Sequence, residues 1–135
     1  MNLDAQLTFS RDGIKWSRVC DRQVFLGVED GAWDERRIYV DEVLVRDDEI
    51  LIYYRGSNIP HAGIQGLIGQ EHDGRPLRGD ALGLARLRLD GFVSVEAGPA
   101  EGSLTTRPFR CSGGELRVNA DAAGGSLQVE AITLY

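Results

Sequence analysis

Lysine is almost missing from this chain: of its 15 basic residues, 14 are arginine. They are scattered along 135 residues and outweighed by 21 acids, which leaves a formal charge of −6. Binding a phosphate backbone needs clustered positive charge, so a nucleic-acid partner is excluded. The arginine bias reads either as bidentate carboxylate pairing or as the coding bias of a GC-rich bacterial genome, and the second is favoured. There are only two cysteines, Cys20 and Cys111, far apart and in no CxxC pattern. They are expected to be reduced, partly buried thiols of a cytoplasmic protein. No apolar run approaches the roughly 20 residues of a membrane span. The start "MNLDAQL" has neither a basic n-region nor an apolar h-region, so no signal peptide is expected. Helical periodicity is nearly absent as well.

What is there instead is short runs of period two, punctuated by Gly, Asp and Asn. Hydrophobic residues make up 42% of the chain, enough for one domain, or one and a fraction, with a real core. Leu7 and Phe9 alternate with Gln6, Thr8 and Ser10, and a turn follows at Asp12-Gly13. "RIYVDEVLV" (Arg37 to Val45) and "EILIYYR" (Glu49 to Arg55) are joined by Arg46-Asp47-Asp48, a natural hairpin connection. Their near-continuous apolar runs predict central strands covered on both faces. "LGLARLRL" (Leu82 to Leu89) places Ala85, Leu87 and Leu89 on one face, Arg86 and Arg88 on the other. After Asp90-Gly91, "FVSVEA" (Phe92 to Ala97) is expected to return as a strand. The fold class is therefore all-β, with antiparallel sheets.

The two Asp-Gly turns, in "LTFSRDGIKWSRV" and "ARLRLDGFVSVEA", recur about 80 residues apart, which suggests a repeated four-stranded unit of β-propeller kind. On that reading residues 37–97 form one propeller-blade-like unit, and residues 1–19 are the outer edge of a preceding blade. The alternative is two unrelated hairpins in a sandwich. Beyond Pro99, "ELRVNAD" and "SLQVEA" alternate between Gly-Gly turns, with Leu116, Val118, Leu127 and Val129 apolar. They predict three short strands in a partial β-sandwich, residues 99–135, packed on a first domain of residues 1–98. Ile132 and Leu134 fall on the opposite parity, as a bulge or a tail that packs elsewhere would require.

Three stretches together resemble the C-terminal part of five-bladed β-propeller glycoside-hydrolase-like proteins. They are "GAWDERRIYVDEVLVRDDEILIYYRGSNIPH", "LGLARLRLDGFVSVEAG" and "GSLTTRPFRCSGGELRVNAD". Members of that group end with a blade reading G-x-W-D, I-Y and I-Y-Y-x-G-S-x-x-x-H. A G-L-A-x-L-R-x-D-G-F strand pair follows, then a β-sandwich opening S-L-T-T-R-P. The likeness spans roughly residues 7–131. It implies that the earlier blades, which carry the catalytic carboxylates of such hydrolases, are absent here, and that the sandwich stops after about three strands.

The chemistry follows from which side chains could meet. Glycoside hydrolysis needs two carboxylates about 5–9.5 Å apart, one with a raised pKa. Asp47, Asp48 and Glu49 lie in a hairpin turn and are expected to be solvated. Asp41 and Glu42 are the weak catalytic candidates: within an apolar strand they should point to opposite faces, one of them paired with an arginine. Trp33, Tyr39, Tyr54 and His61 are expected to cluster at the ends of the inner strands, with Trp33 partly buried and Asp34 at the family's W-D position. Aromatic and polar groups together there would suit a sugar or another small ligand; plain core packing is the alternative for each ring. His72 stands between Glu71 and Asp73, but two histidines without ligand spacing do not make a metal site. "GIQGLIG" matches neither phosphate-loop nor dinucleotide spacing, so no cofactor is expected. The 24 residues from Ser57 to Asp80 exceed the ordinary loop length of ~12–15, which leaves a binding element or disorder.

The expectation is a soluble, non-catalytic binding or assembly module, with carbohydrate or another small molecule as ligand. The alternative is a residual glycoside hydrolase whose carboxylates are assembled across an oligomer. A homodimer is expected, because one blade leaves an open strand edge and the C-terminal sheet an uncovered apolar face. The tail Ile132-Thr133-Leu134-Tyr135 is the candidate for crossing to the partner.

Overall fold

The computed structural model describes residues 2–61, 70–72 and 74–133. The chain divides into two units, residues 1–89 and 90–135. In the first, short strands β1 (Ala5–Gln6), β2 (Thr8–Phe9), β3 (Ser17–Arg18) and β4 (Val24–Leu26) precede β5 (Arg37–Arg46) and β6 (Glu49–Ser57). Then come β7 (Glu71–His72), β8 (Arg75–Pro76) and β9 (Ala81–Arg88). The main sheet is antiparallel, in the order β5-β6-β9. The protein is all-β, as its period-two pattern requires.

The opening hairpin forms as its turn chemistry demands. Thr8 pairs with Arg18 and Phe9 with Ser17. Between them Asp12 Oδ1 accepts the backbone N–H groups of Ile14 and Lys15 at 2.9 and 2.8 Å, while Gly13 takes φ +73°. Those backbone donors hold the Asp12 carboxyl below its usual range. β1 pairs with β4, and Leu3 bridges to Arg37 at the start of β5.

β5 and β6 meet across Asp47-Asp48, with Arg46 opposite Glu49. The register changes partway: Val45 faces Ile50 and Glu42 faces Tyr53, but Val40 faces Tyr54 and Tyr39 faces Arg55. Asp41 is the extra residue of a β-bulge. The core gathers on β6, where Ile50, Leu51 and Ile52 are all buried, together with Ile38, Ile59 and Leu77. Three consecutive buried residues mean that β6 is covered on both faces, as expected. β5 departs from that expectation. From Val40 on it is open to solvent, with Val40, Val43, Leu44 and Val45 exposed, because it lies at the sheet edge and not in its centre.

The long segment after β6 is tied down at both ends. Ser57 Oγ donates to the Arg78 carbonyl, Asn58 Nδ2 to that of Pro76, and Asn58 Oδ1 accepts the Arg78 N–H. β7 and β8 form a small hairpin whose Gly74 takes φ +72°. Residues 62–69, with Gly63, Gly66 and Gly69, and Asp73 lie outside the described residues.

The second unit contains no strand among its described residues. The strands expected over residues 92–97, 115–121 and 126–131 make no ladder, so the four-stranded unit is three-stranded. The turn at Ala123-Gly124 is present, closed by the Gly125 N–H on the Ala122 carbonyl, and Gly113 and Gly114 take φ of +93° and +128°. The apolar positions stay exposed, Leu116 by 70% and Ile132 by 71%. Three strands with a single apolar face cannot bury it alone, and no strand or helix among the described residues of this unit supplies a second layer. Leu134 and Tyr135 lie outside the described residues. Cys20 and Cys111 are free and exposed, not partly buried. Cys20 sits in a surface turn, Cys20–Arg22, whose three residues all have positive φ.

Candidate functional site

The turn that leads into β5 lays Trp33 and Asp34 across the end of β6. It is closed by hydrogen bonds from the Ala32 N–H to the Glu29 carbonyl and from the Glu35 N–H to the Ala32 carbonyl. Gly56 permits the approach: a Cβ built there would stand 2.8 Å from Trp33 Cζ3, closer than side chains tolerate. Trp33 stacks on Tyr54 with ring centroids 5.8 Å apart and planes 21° from parallel. The Tyr54 hydroxyl donates to Asp34 Oδ2 at 3.0 Å, and Asp34 is only 7% exposed. Burial, reinforced by this bond to a carboxylate, pushes the Tyr54 hydroxyl above its usual pKa. The Tyr54 ring lies over Gly83 of β9, where a Cβ would meet Cε1 at 2.6 Å. Two glycines thus make room for one aromatic pair. Trp33 nevertheless keeps 41% of its surface exposed.

Next to it Glu35, 5% exposed, is held from two sides. Its Oε2 accepts the Gly31 N–H at 2.8 Å and Arg75 Nη1 at 2.9 Å. The backbone donor, more than the guanidinium, holds the Glu35 carboxyl below its ordinary range against the opposing effect of burial. The bond from Arg75 ties the lead-in turn to the β7–β8 hairpin.

The remaining candidates stand on the other face of the sheet. Successive residues of a strand point to opposite faces, so Tyr54 and Arg55 diverge, and Tyr39 pairs directly with Arg55. The Arg55 guanidinium lies 5.5 Å from the Tyr39 ring centroid, a cation–π contact, and the Tyr39 hydroxyl is hydrogen-bonded to His61 Nδ1. Arg55 also grips Asp41 with two nitrogens, Nε at 2.8 Å and Nη2 at 3.0 Å. Asp80 accepts from Arg37 Nη2 at 2.6 Å and lies 3.8 Å from Arg55 Nη1. The result is a run of alternating charges, Asp41–Arg55–Asp80–Arg37, beside the Tyr39–His61 pair.

The five ligand-binding candidates therefore form two groups: Trp33, Asp34 and Tyr54 on one face, Tyr39 and His61 on the other. The bulge at Asp41 is the cause. Continued without it, the hairpin register would set Tyr39 opposite Gly56, on the Tyr54 face; the one-residue slip carries it across. The same bulge corrects the expectation for Asp41 and Glu42. Glu42 faces Tyr53, whose face Arg55 shares, and Asp41 bonds Arg55, so both carboxylates lie on one face. Asp41 has the arginine partner foreseen for one of the two. Its hydrogen bonds from Arg55 hold its carboxyl low, which suits an ionised acceptor and not a proton donor.

Glu35, Arg75, Arg37 and Asp80 were not legible as functional positions. Their pairings span 40 and 43 residues, and no local pattern signals a contact at that range. Among the described residues no group of three or more His, Cys, Asp or Glu could hold a metal ion. No helix among them is long and apolar enough to cross a membrane. No family model matches the chain, and neither a curated protein nor a solved structure is significantly similar to it.

Proposed function

We propose that this chain is a non-catalytic binding module of the glycoside-hydrolase-like propeller kind, taking a carbohydrate or similar small ring on the Trp33 indole. One observation carries the reading: Trp33 is clamped against Tyr54 over Gly56, yet 41% of it faces solvent. A ring already fixed in place loses little freedom when a ligand covers it, and the apolar face of a sugar gains by leaving water. Trp16 → Phe leaves Trp33 as the sole tryptophan, so its fluorescence can be titrated with neutral mono- and oligosaccharides. Saturable quenching is expected, with calorimetric binding lost in Trp33 → Ala. A flat response across the panel refutes the reading.

A second reading, residual glycoside hydrolysis, draws on the bulge that brings Asp41 and Glu42 to one face. Asp41, held ionised by Arg55, would be the base or nucleophile, with Glu42 as the second carboxylate. Turnover of a chromogenic glycoside, abolished in both Asp41 → Asn and Glu42 → Gln, would establish it; no turnover by the unaltered chain removes it.

A further inference from the structure

The main sheet has two edges, and they are built differently. The β5 edge is interrupted by the Asp41 bulge and capped at its start by the Leu3 bridge, both of which discourage further pairing. β9 has neither device. It runs eight residues without proline or bulge, pairs with β6 along its whole length, and has no second ladder among the described residues. The Leu89 N–H donates to the Asp48 carbonyl at 2.9 Å. Because antiparallel pairing alternates, the odd-numbered residues of β9 turn their backbone groups toward β6. Leu82, Leu84, Arg86 and Arg88 then turn theirs outward. Leu82 is 78% exposed and Leu84 is exposed as well. Lysines and arginines on an edge normally repel a partner, but Arg86 is already neutralised by Glu49 at 3.0 Å.

We infer that β9 is a dimerisation edge: two copies pair antiparallel through this strand about a two-fold axis at Ala85, joining two three-stranded sheets into one of six. The edge adjoins the Trp33 platform at Gly83, beneath the Tyr54 ring, but the inference does not rest on ligand binding there. Like charge rules out the registers on one side of Ala85, and pairing of the whole strand selects among the rest. Centred on Ala85, Arg86 faces the partner's Leu84, and Arg88 faces the partner's Leu82. Gly83, which the Tyr54 ring already covers, faces the partner's Leu87. Centring on Arg86 would oppose the two copies of that residue, and moving one position further would oppose Arg86 and Arg88, which like charge disfavours. All four outward-facing residues of each strand are paired in the Ala85 register.

Light scattering at micromolar concentration is expected to give twice the 14.8 kDa chain mass. In a Cys20 → Ser, Cys111 → Ser background, Ala85 → Cys should cross-link the dimer on mild oxidation. Ala85 and its copy form a non-hydrogen-bonded pair, with Cα atoms about 4.5 Å apart, a spacing that a disulfide accepts. Leu84 → Cys, opposite Arg86 in this register, should not cross-link. Leu84 → Pro removes only an outward N–H, which an edge strand tolerates, and should convert the dimer to monomer with its sheet intact. If that variant fails to fold, the cross-linking result decides. A monomer mass for the unaltered chain overturns the inference. So does a dimer that cross-links at position 84 in place of 85, or one that survives a folded Leu84 → Pro.

Discussion

Adding a single methyl group at Gly83 should dismantle the aromatic site from behind. A Cβ there would stand 2.6 and 2.7 Å from Tyr54 Cε1 and Cε2, so the ring has to leave its place over β9. When it moves, Asp34 Oδ2 loses the hydroxyl bonded to it at 3.0 Å, and Trp33 loses the ring it stacks on. Overpacking of this kind costs about 1–3 kcal/mol. An acceptor left buried without its donor costs about 1–3 kcal/mol more. Against this, replacing a strand glycine by alanine regains about 0.5–1 kcal/mol of backbone entropy. The net expectation for Gly83 → Ala is a loss of about 1–5 kcal/mol, set by those magnitudes, read as a lower urea midpoint by circular dichroism at unchanged slope. The decisive measurement is the double-mutant cycle with Tyr54 → Ala. Once the ring is gone the three atoms nearest the new methyl are gone with it, so Gly83 → Ala should then be neutral or mildly stabilising. An equal loss in both backgrounds would refute the reasoning, because the cost could not lie in the contact with Tyr54.

Two further outcomes are expected. The folded state holds the Glu35 carboxyl below its ordinary value. That group therefore contributes stability above its unfolded pKa of about 4.3, and the contribution is lost as pH falls through the lower folded value. Urea midpoints measured from neutral pH downward should fall more steeply below about pH 4.3 in the unaltered chain than in Glu35 → Gln, and parallel profiles would contradict the assignment. Asp41 → Asn breaks an exposed pair with Arg55, so its melting temperature should stay within error of the parent's. A clear drop would show that the charge network on that face is structural.

How much of this was legible in advance differs from element to element. The hairpin of β5 and β6 was visible because two near-continuous apolar runs flank the polar connection Arg46-Asp47-Asp48. The Asp12 turn was visible because Asp and Gly satisfy its geometry within a few residues of chain. The strands over residues 92–97, 115–121 and 126–131 carry the same alternation, yet form no ladder. Alternation records which side chains could share a face, but a ladder also requires another strand to supply the backbone partners.

The sequence by itself determined the β class, the places where the chain turns, and the parity of side chains within each strand, since all three rest on contacts between near neighbours. The tertiary structure alone decided how those parities combine. One extra residue at Asp41 shifted the β5 register, separated Tyr39 and His61 from Trp33, Asp34 and Tyr54, and brought Asp41 and Glu42 together. It also decided the Glu35–Arg75 and Arg37–Asp80 pairs, 40 and 43 residues apart. Bulges and long-range ion pairs are settled by which backbones come to lie side by side, and only the folded sheet holds that information.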